Sequence, residues 1–510
     1  MPCSVPTPWD VPPDPGGDGM DKALRLHPRD NVALALESLP PGVTVCVGES
    51  AVRTRDRIPY GHKFALSPIP RGDRVIKYGH PIGRATRDIS PGEHVHVHNL
   101  GSGRTYGDTA LPEEKVDLPK VPRPSATHFL GFRRPDGRTG VRNHVLVLAA
   151  VHCVNGVVER IGQEVPGTVA LPHIYGCSQL GEDLELTVRV LRAYASHPNV
   201  GATLLVGLGC EALPTVELVE ELRSKGYVIE LLTVQEVGGS RAAVERGKAM
   251  ASELLRKVRE ARREPIPLSE LVVGVECGGS DAWSGITANP VVGAVADALV
   301  GLGGTVILSE VTEFIGAERI LAARAVSPEV GEEILRAVAR REAVAEEMGV
   351  DLRGAQPSPG NMEGGLTTIE EKSLGAIAKG GTTPVMEFLP YGESPTARGL
   401  VVMDTSGNDP ESVTGMVAGG AQLVLFTTGR GTPLGNPIAP VIKISSNTPL
   451  FERMRDDIDF DAGPILRGSS VTRVAGELLE LLIAVAGGKL TRAEEWGHRE
   501  FAIEARAPRV

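Results

Sequence analysis

The chain has no run of apolar residues approaching the roughly 20 that a membrane-spanning helix needs, so nothing in its 510 residues reads as a span. It also lacks a basic excess. Fifty-three Lys and Arg against 64 Asp and Glu leave a formal charge of -11, which argues against nucleic acid as the main partner, because phosphate binding relies on clustered cations. Cysteine is scarce: six residues, unevenly spaced, are too few for a secreted disulfide framework and fit a reducing, cytoplasmic setting. The opening MPCSVPTPWDVPPDPGGDGMDK carries Pro, Gly and Asp where a signal peptide has a basic end and an apolar stretch, and residues 1–22 read as a disordered tail. No GxxxxGK[ST] occurs, and no GxGxxG lies between a strand and a helix, so neither an ATPase phosphate loop nor a dinucleotide site is supported.

What is present is a pattern. Four of the six cysteines stand where a strand-like run stops: VLVLAAVHC at Cys153, TVALPHIYGC at Cys177, ATLLVGLGC at Cys210 and LVVGVEC at Cys277. In open α/β sheets ligands collect at the carboxyl ends of strands, so cysteines there point to a metal or redox site.

Three blocks separate along the chain, as its length suggests. Residues 23–100 open with a helix-like run, HPRDNVALALESL, and then turn to short strands punctuated by Pro and Gly, a small β-rich domain. Residues 101–127 are rich in Gly, Pro and charge and read as a linker. Residues 128–264 alternate strand-like and helix-like runs, which implies βαβ units and a largely parallel sheet; residues 265–510 repeat that logic as a second α/β domain. A strongly helical stretch, PEVGEEILRAVARREAVAEEMG, lies inside the last block.

Several loops are too rich in chemistry for packing alone: GFRRPDGRTGVRN, ECGGSDAWSGITANP, GNMEGGLTTIEEKSLGAIAKGG, and the Gly-rich turn around Arg430. These segments, with HIYGCSQ, GLGCE, MDTSGNDPESVTG and FTTGRGTPLGNPIAPVIKISSNT, closely resemble the altronate/galactarate dehydratase family of sugar-acid hydro-lyases, and the amino-terminal block resembles the SAF, or β-clip, domain of that family. The resemblance covers about residues 24–508. It implies an α/β fold in which a SAF/β-clip domain precedes two Rossmann-like domains with largely parallel sheets. Two departures, Asp461 ahead of Ala462 and Ser446 where threonine is commoner, bear on the substrate more than on the chemistry.

The implied reaction is loss of water from a sugar acid to give a 2-keto-3-deoxy acid, with an iron requirement. Altronate is the first expected substrate; galactarate or a related sulfo acid is the alternative, and a non-catalytic sugar-acid-binding protein is the alternative of another class. A cation is wanted because the C2 proton beside a carboxylate is very weakly acidic and the enediolate must be stabilised. Two iron centres fit: an iron–sulfur cluster on Cys177, Cys210 and Cys277, with Cys153 as an optional fourth ligand, or a mononuclear Fe2+ on His, Asp and Glu, with the cysteines packed as small hydrophobes. His173 and Lys372 are the candidate general bases. Arg138, Arg142 and Arg430 are candidates for the substrate carboxylate, against surface salt bridges. Ser280, Asp281, Thr287 and Asn289 are candidates for polyol hydroxyls, against capping of the helix that opens near Pro290. In the amino-terminal domain His62, His96 and His98 are candidate contacts, since strand alternation puts His94, His96 and His98 on one face. The partner expected is a small acid, with no nucleic acid and no membrane; self-association into a homo-oligomer is left open.

Overall fold

The computed structural model describes residues 22–48, 50–104, 122 and 124–505. The expected tail, apart from Lys22, and most of the expected linker lie outside them. The amino-terminal domain is built from small antiparallel sheets: a four-stranded one in the order 23–24, 32–35, 63–65 and 94–95, a three-stranded one from 74–77, 80–85 and 100–101, and a hairpin from 44–47 and 50–53. The helix-like run HPRDNVALALESL is a strand instead. All four residues of Val32–Ala35 are buried and pair with neighbours on both sides, and a helix has no fully buried faces to offer in a domain this thin. The turn before it is set by Asp30, whose carboxylate accepts from the backbone N–H of His27 (3.0 Å) and Gly79 (2.7 Å).

Two strands form a stalk into the next domain. His128–Arg133 enters it, Glu264–Pro267 leaves it, and the two pair antiparallel. Between them a parallel sheet contains β1 (His144–Ala149), β2 (Thr168–Leu171), β3 (Val200–Gly207) and β4 (Ile229–Thr233) in the order β2-β1-β3-β4. Helices α1 (Asn155–Glu164), α2 (Glu182–Ala195), α3 (Thr215–Ser224) and α4 (Ser240–Val258) connect and cover it. Near-continuous apolar strands such as VLVLA are those of a sheet covered on both faces.

The last domain holds seven parallel strands: β5 (Val272–Cys277), β6 (Thr305–Leu308), β7 (Val385–Leu389), β8 (Gly399–Met403), β9 (Leu423–Thr428), β10 (Val441–Ser445) and β11 (Phe460–Asp461). Their order is β7-β8-β6-β5-β9-β10-β11. Among its helices are α5 (Ala288–Gly301), α6 (Pro328–Glu347), α7 (Ile369–Ala376), α8 (Asp409–Ala418) and α9 (Val471–Ala486). From β5 the chain moves to one side, to β6, then to β7 at the edge and back to β8 between them, and resumes on the other side at β9, so the carboxyl end of β5 is the topological switch point where open α/β sheets bind ligands.

The three domains share cores. Val32, Val75 and Ile82 of the first pack in one cluster with Val273, Ala288 and Leu374 of the third, and Leu146, Val190 and Leu205 of the second pack with Val401, Val417 and Phe426 of the third. A buried ion triad pins the first domain down: Glu371 on α7 accepts from Lys63 at 2.9 Å and Lys77 at 2.8 Å, with all three side chains essentially inaccessible.

Candidate functional site

At the switch point β5 ends in Glu276 and Cys277, both buried. Beyond β6 comes Glu310, a non-glycine residue in the left-handed region (φ 68°, ψ 63°), a costly conformation of the kind that concentrates at functional sites. Its carboxylate accepts from the Cys277 backbone N–H at 3.0 Å and from Lys379 Nζ at 2.6 Å. Lys379 Nζ also lies 3.0 Å from Cys277 Sγ. Glu276 accepts from the hydroxyls of Ser309 (3.0 Å) and Ser412 (2.7 Å) through Oε2, while its Oε1 is buried with no hydrogen-bond partner. Asp409 opens α8, and a side chain on Gly278 would collide with its carboxylate. Glu276, Glu310 and Asp409 bring one oxygen each to within 4.8 Å of one another, the only group of three such ligands among the described residues.

Three carboxylates this close repel. Burial, then Glu310 and Asp409, push the Glu276 pKa well above the usual range; burial, then Glu310 and Glu313, push Asp409 up to about 7. Lys379 is the built-in counter-charge. Burial works against its ammonium, but Cys277, Glu310 and Glu276 outweigh that and hold its pKa above the ordinary lysine value. Burial, then Glu310, raise the Cys277 thiol pKa, against the pull of Lys379. The donor set fits a hard divalent cation: three carboxylates, one orphaned oxygen, and proton affinities that a positive ion would relieve.

A second wall comes from the loops after β5, β9 and β10. Asp281 Oδ1 accepts from the Ser284 hydroxyl and N–H (both 2.8 Å) and the Ser446 hydroxyl (2.9 Å), and its Oδ2 accepts from Asn447 Nδ2 at 3.1 Å. Arg430 Nη2 pairs with Glu363 at 2.6 Å with both side chains well exposed. Asn361 Nδ2 donates to the Ser280 carbonyl at 2.8 Å. Over the 361–365 segment sit the histidines of the first domain. His62 Nδ1 lies 3.0 Å from His94 Nε2, His62 Nε2 lies 3.3 Å from the Glu363 carbonyl, and His96 Nε2 lies 3.0 Å from the Met362 carbonyl. The His98 ring lies 5.4 Å from that of His94, tilted by 44°. The strand stops at Val95, so a turn and not alternation gathers the rings: the Asn99 side chain donates to the His94 carbonyl and accepts from the His96 N–H, both at 2.9 Å. Burial lowers His94 to about 3 and His96 to about 4, keeping both imidazoles neutral.

Other expected residues stand elsewhere. Arg142 gives its donors to Glu494 (2.7 and 2.8 Å) and to the carbonyls of Val141, Val485 and Lys489. Arg138 binds Asp136, the Ser196 carbonyl and Tyr227. Both precede β1, at the end of that strand opposite its carboxyl edge, and their donors are taken by these partners, which tie the structure. Both ring nitrogens of His173 are taken by backbone, Nε2 by the Ala149 carbonyl (2.6 Å) and Nδ1 by the Tyr175 N–H (3.1 Å), which leaves no nitrogen for substrate. Thr287 donates to the Trp283 and Ser446 carbonyls, and Asn289 spans Thr427 and Gly375; both brace the loop from inside. Lys372 reaches the site but pairs with Glu313 at 2.8 Å. Burial opposes its charge, yet Glu313 outweighs that and raises its pKa, which favours the ammonium. Cys277 is separated from Cys177 and Cys210, which are exposed on the other parallel sheet.

Family models match three consecutive stretches: the altronate/galactarate dehydratase SAF domain at residues 21–103, the D-galactarate dehydratase/altronate hydrolase second domain at 131–259, and the D-galactarate/altronate dehydratase carboxyl-terminal domain at 268–508. The chain is 39% identical to the altronate dehydratase of Bacillus subtilis (strain 168), over 95% of this chain and 99% of that one. The chain belongs to the altronate/galactarate dehydratase family. It is 37% identical to the galactarate dehydratase (L-threo-forming) of Escherichia coli (strain K12), over 95% and 97%. The (2R)-sulfolactate sulfo-lyase subunit beta of Chromohalobacter salexigens is 40% identical, over 74% of this chain and 96% of its own. The chain is an enzyme, a lyase of the dehydratase type, as the resemblance implied.

Within that family site, Glu276, Glu310, Lys379 and Asp409 were not singled out by the sequence reading. The readable signal was Glu276, an acid inside an otherwise apolar strand. Lys379 sits in an apolar, glycine-bounded run, GAIAKGG, where a lone lysine needs a buried partner.

Proposed function

We propose that the chain removes water from a sugar acid, altronate first, to give a 2-keto-3-deoxy sugar acid with iron as Lewis acid. The observation that carries this is the buried Lys379 ammonium, 2.6 Å from Glu310 and 3.0 Å from Cys277 at the switch point, with Glu276 and Asp409 beside it. Removing the C2 proton builds negative charge on the substrate carboxylate, and fixed cations in a dry site stabilise that charge most. Glu276, Glu310 and Asp409 would hold a divalent iron, which when bound supplies a Lewis acid to the carboxylate and the departing hydroxyl. Lys372, held as an ammonium, is suited to protonating the hydroxide that leaves C3. The proton acceptor is assigned to the neutral imidazoles of His94 and His96, which engage Nε2 in the bonds above and keep Nδ1 as an acceptor at neutral pH. Ser280 offers a hydroxyl to the polyol, on a loop that Asp281 and Ser446 brace from within.

Arg430 alone among the three expected arginines comes to the crevice. One guanidinium suits a substrate with one carboxylate, which favours altronate over galactarate. A small sulfo acid is the second reading, supported by the similarity to a sulfo-lyase subunit. The test is an anaerobic assay with ferrous iron on altronate, galactarate and sulfolactate. Altronate should yield 2-keto-3-deoxy product fastest; no turnover on any of the three overturns the proposal.

A further inference from the structure

The carboxyl edge of the second domain carries chemistry that the site above does not use. Cys153, Cys177 and Cys210 follow β1, β2 and β3, three adjacent strands in the order β2-β1-β3, and all three are exposed. Free cysteines are usually buried, so three exposed ones on one sheet edge need a reason.

The loops that carry them are tied together. The His152 N–H donates to the Tyr175 carbonyl at 3.0 Å, and the Ala212 N–H donates to the Gly176 carbonyl at 3.1 Å. Each cysteine therefore lies within two residues of a bond to a loop that bears another. The supports are specific. Gly176 and Gly209, immediately before Cys177 and Cys210, are left-handed (φ 94° and 116°), and a Cβ on Gly176 would strike the Ala150 carbonyl. Glu211 accepts from the backbone N–H groups of Leu208 (2.9 Å) and Gly209 (2.7 Å). His173 clamps the Cys177 loop against the end of β1.

We infer that Cys153, Cys177 and Cys210 hold an iron–sulfur cluster on this edge, with one iron left without a protein thiolate. Three thiolates that share one ion at ~2.3 Å stand about 3.8 Å apart. These three do not meet even the 4.8 Å span, which among the described residues only the carboxylate group satisfies. Thiolates that each bind their own iron stand wider. No fourth described cysteine is on this edge: Cys46 belongs to the amino-terminal hairpin and Cys277 to the other sheet.

The readout is iron and acid-labile sulfide, so it is independent of substrate. A full cluster without turnover would count against the dehydratase reading alone. The full chain is purified without oxygen, or reconstituted with ferrous iron and sulfide, and its iron, sulfide and visible absorption are measured. About four sulfide per chain are expected, with about four iron in a cubane cluster and one more where the carboxylate group is also filled. Cys153→Ser, Cys177→Ser and Cys210→Ser should each lose the sulfide and the absorption, while Cys277→Ser and Cys46→Ser keep them. Wild-type protein with metal but no sulfide overturns the inference, as does full sulfide in any one of the three variants. If those variants misfold by circular dichroism, alkylation of the loaded wild type decides: the three thiols should be shielded and Cys46 labelled, and equal labelling overturns the inference.

Discussion

Two parallel sheets in this chain carry cysteine at their carboxyl ends, and the two ends differ. The carboxyl end of β5 is buried, covered by the amino-terminal domain, and filled with carboxylates and lysines; the carboxyl end of β1 to β3 is open and offers thiols. Strand topology locates both sites equally well. What each can do is decided by burial and by its donors: Cys277 is buried between Glu310 and Lys379, whereas Cys177 lies open to solvent.

The cover is the most sensitive part of that difference. Glu371→Gln leaves Lys63 and Lys77 buried without their counter-charge and should cost about 3–5 kcal/mol, read by denaturant unfolding. A cost under about 1 kcal/mol would mean that the first domain docks by apolar contact alone. Arg142→Ala should cost roughly 3 kcal/mol by stranding Glu494, with the KM for substrate unchanged in the folded fraction. Arg430→Ala should do the reverse, raising KM with stability within about 0.5 kcal/mol. If Arg142→Ala instead raises KM in a stable protein, its placement as a structural residue is wrong.

Acid should separate the two ends as well. His94 and His96 titrate at about 3 and about 4 in the folded chain against 6.5 ordinarily, because burial disfavours their charged forms. The unfolded or undocked state then binds more protons between those values, so docking is fully stable above about pH 6.5 and weakens as pH falls toward 4. Trp283, buried 5.1 Å from Tyr60, reports this by fluorescence. His96→Gln should flatten the slope. The smallest effect is at the open edge, where Cys177→Ser in the metal-free chain should change stability by less than about 0.5 kcal/mol.

Much of this was legible in the residues. Alternating runs such as TVALPHI and DLELTVRVLRAYASH gave strand and helix, and the strand ends gave the cysteine positions. The run VALALESL misled, since a buried four-residue strand and one face of a helix look alike over so short a length. Arg138 and Arg142 misled for another reason: a Gly-rich, arginine-rich loop has the same composition whether it faces a ligand or ties two domains. Lys379 and Asp409 were missed because their meaning lies in pairing across 102 residues with Cys277 and in crowding against Glu276 and Glu310, which no local window contains.

The most direct measurement is anaerobic altronate dehydration by the wild type and by Lys379→Met, with folding checked by circular dichroism. Formation of 2-keto-3-deoxy product by the wild type and its loss in the folded variant is the expected result. Product formation by Lys379→Met at the wild-type rate would contradict the assignment of the reaction to the buried end of β5.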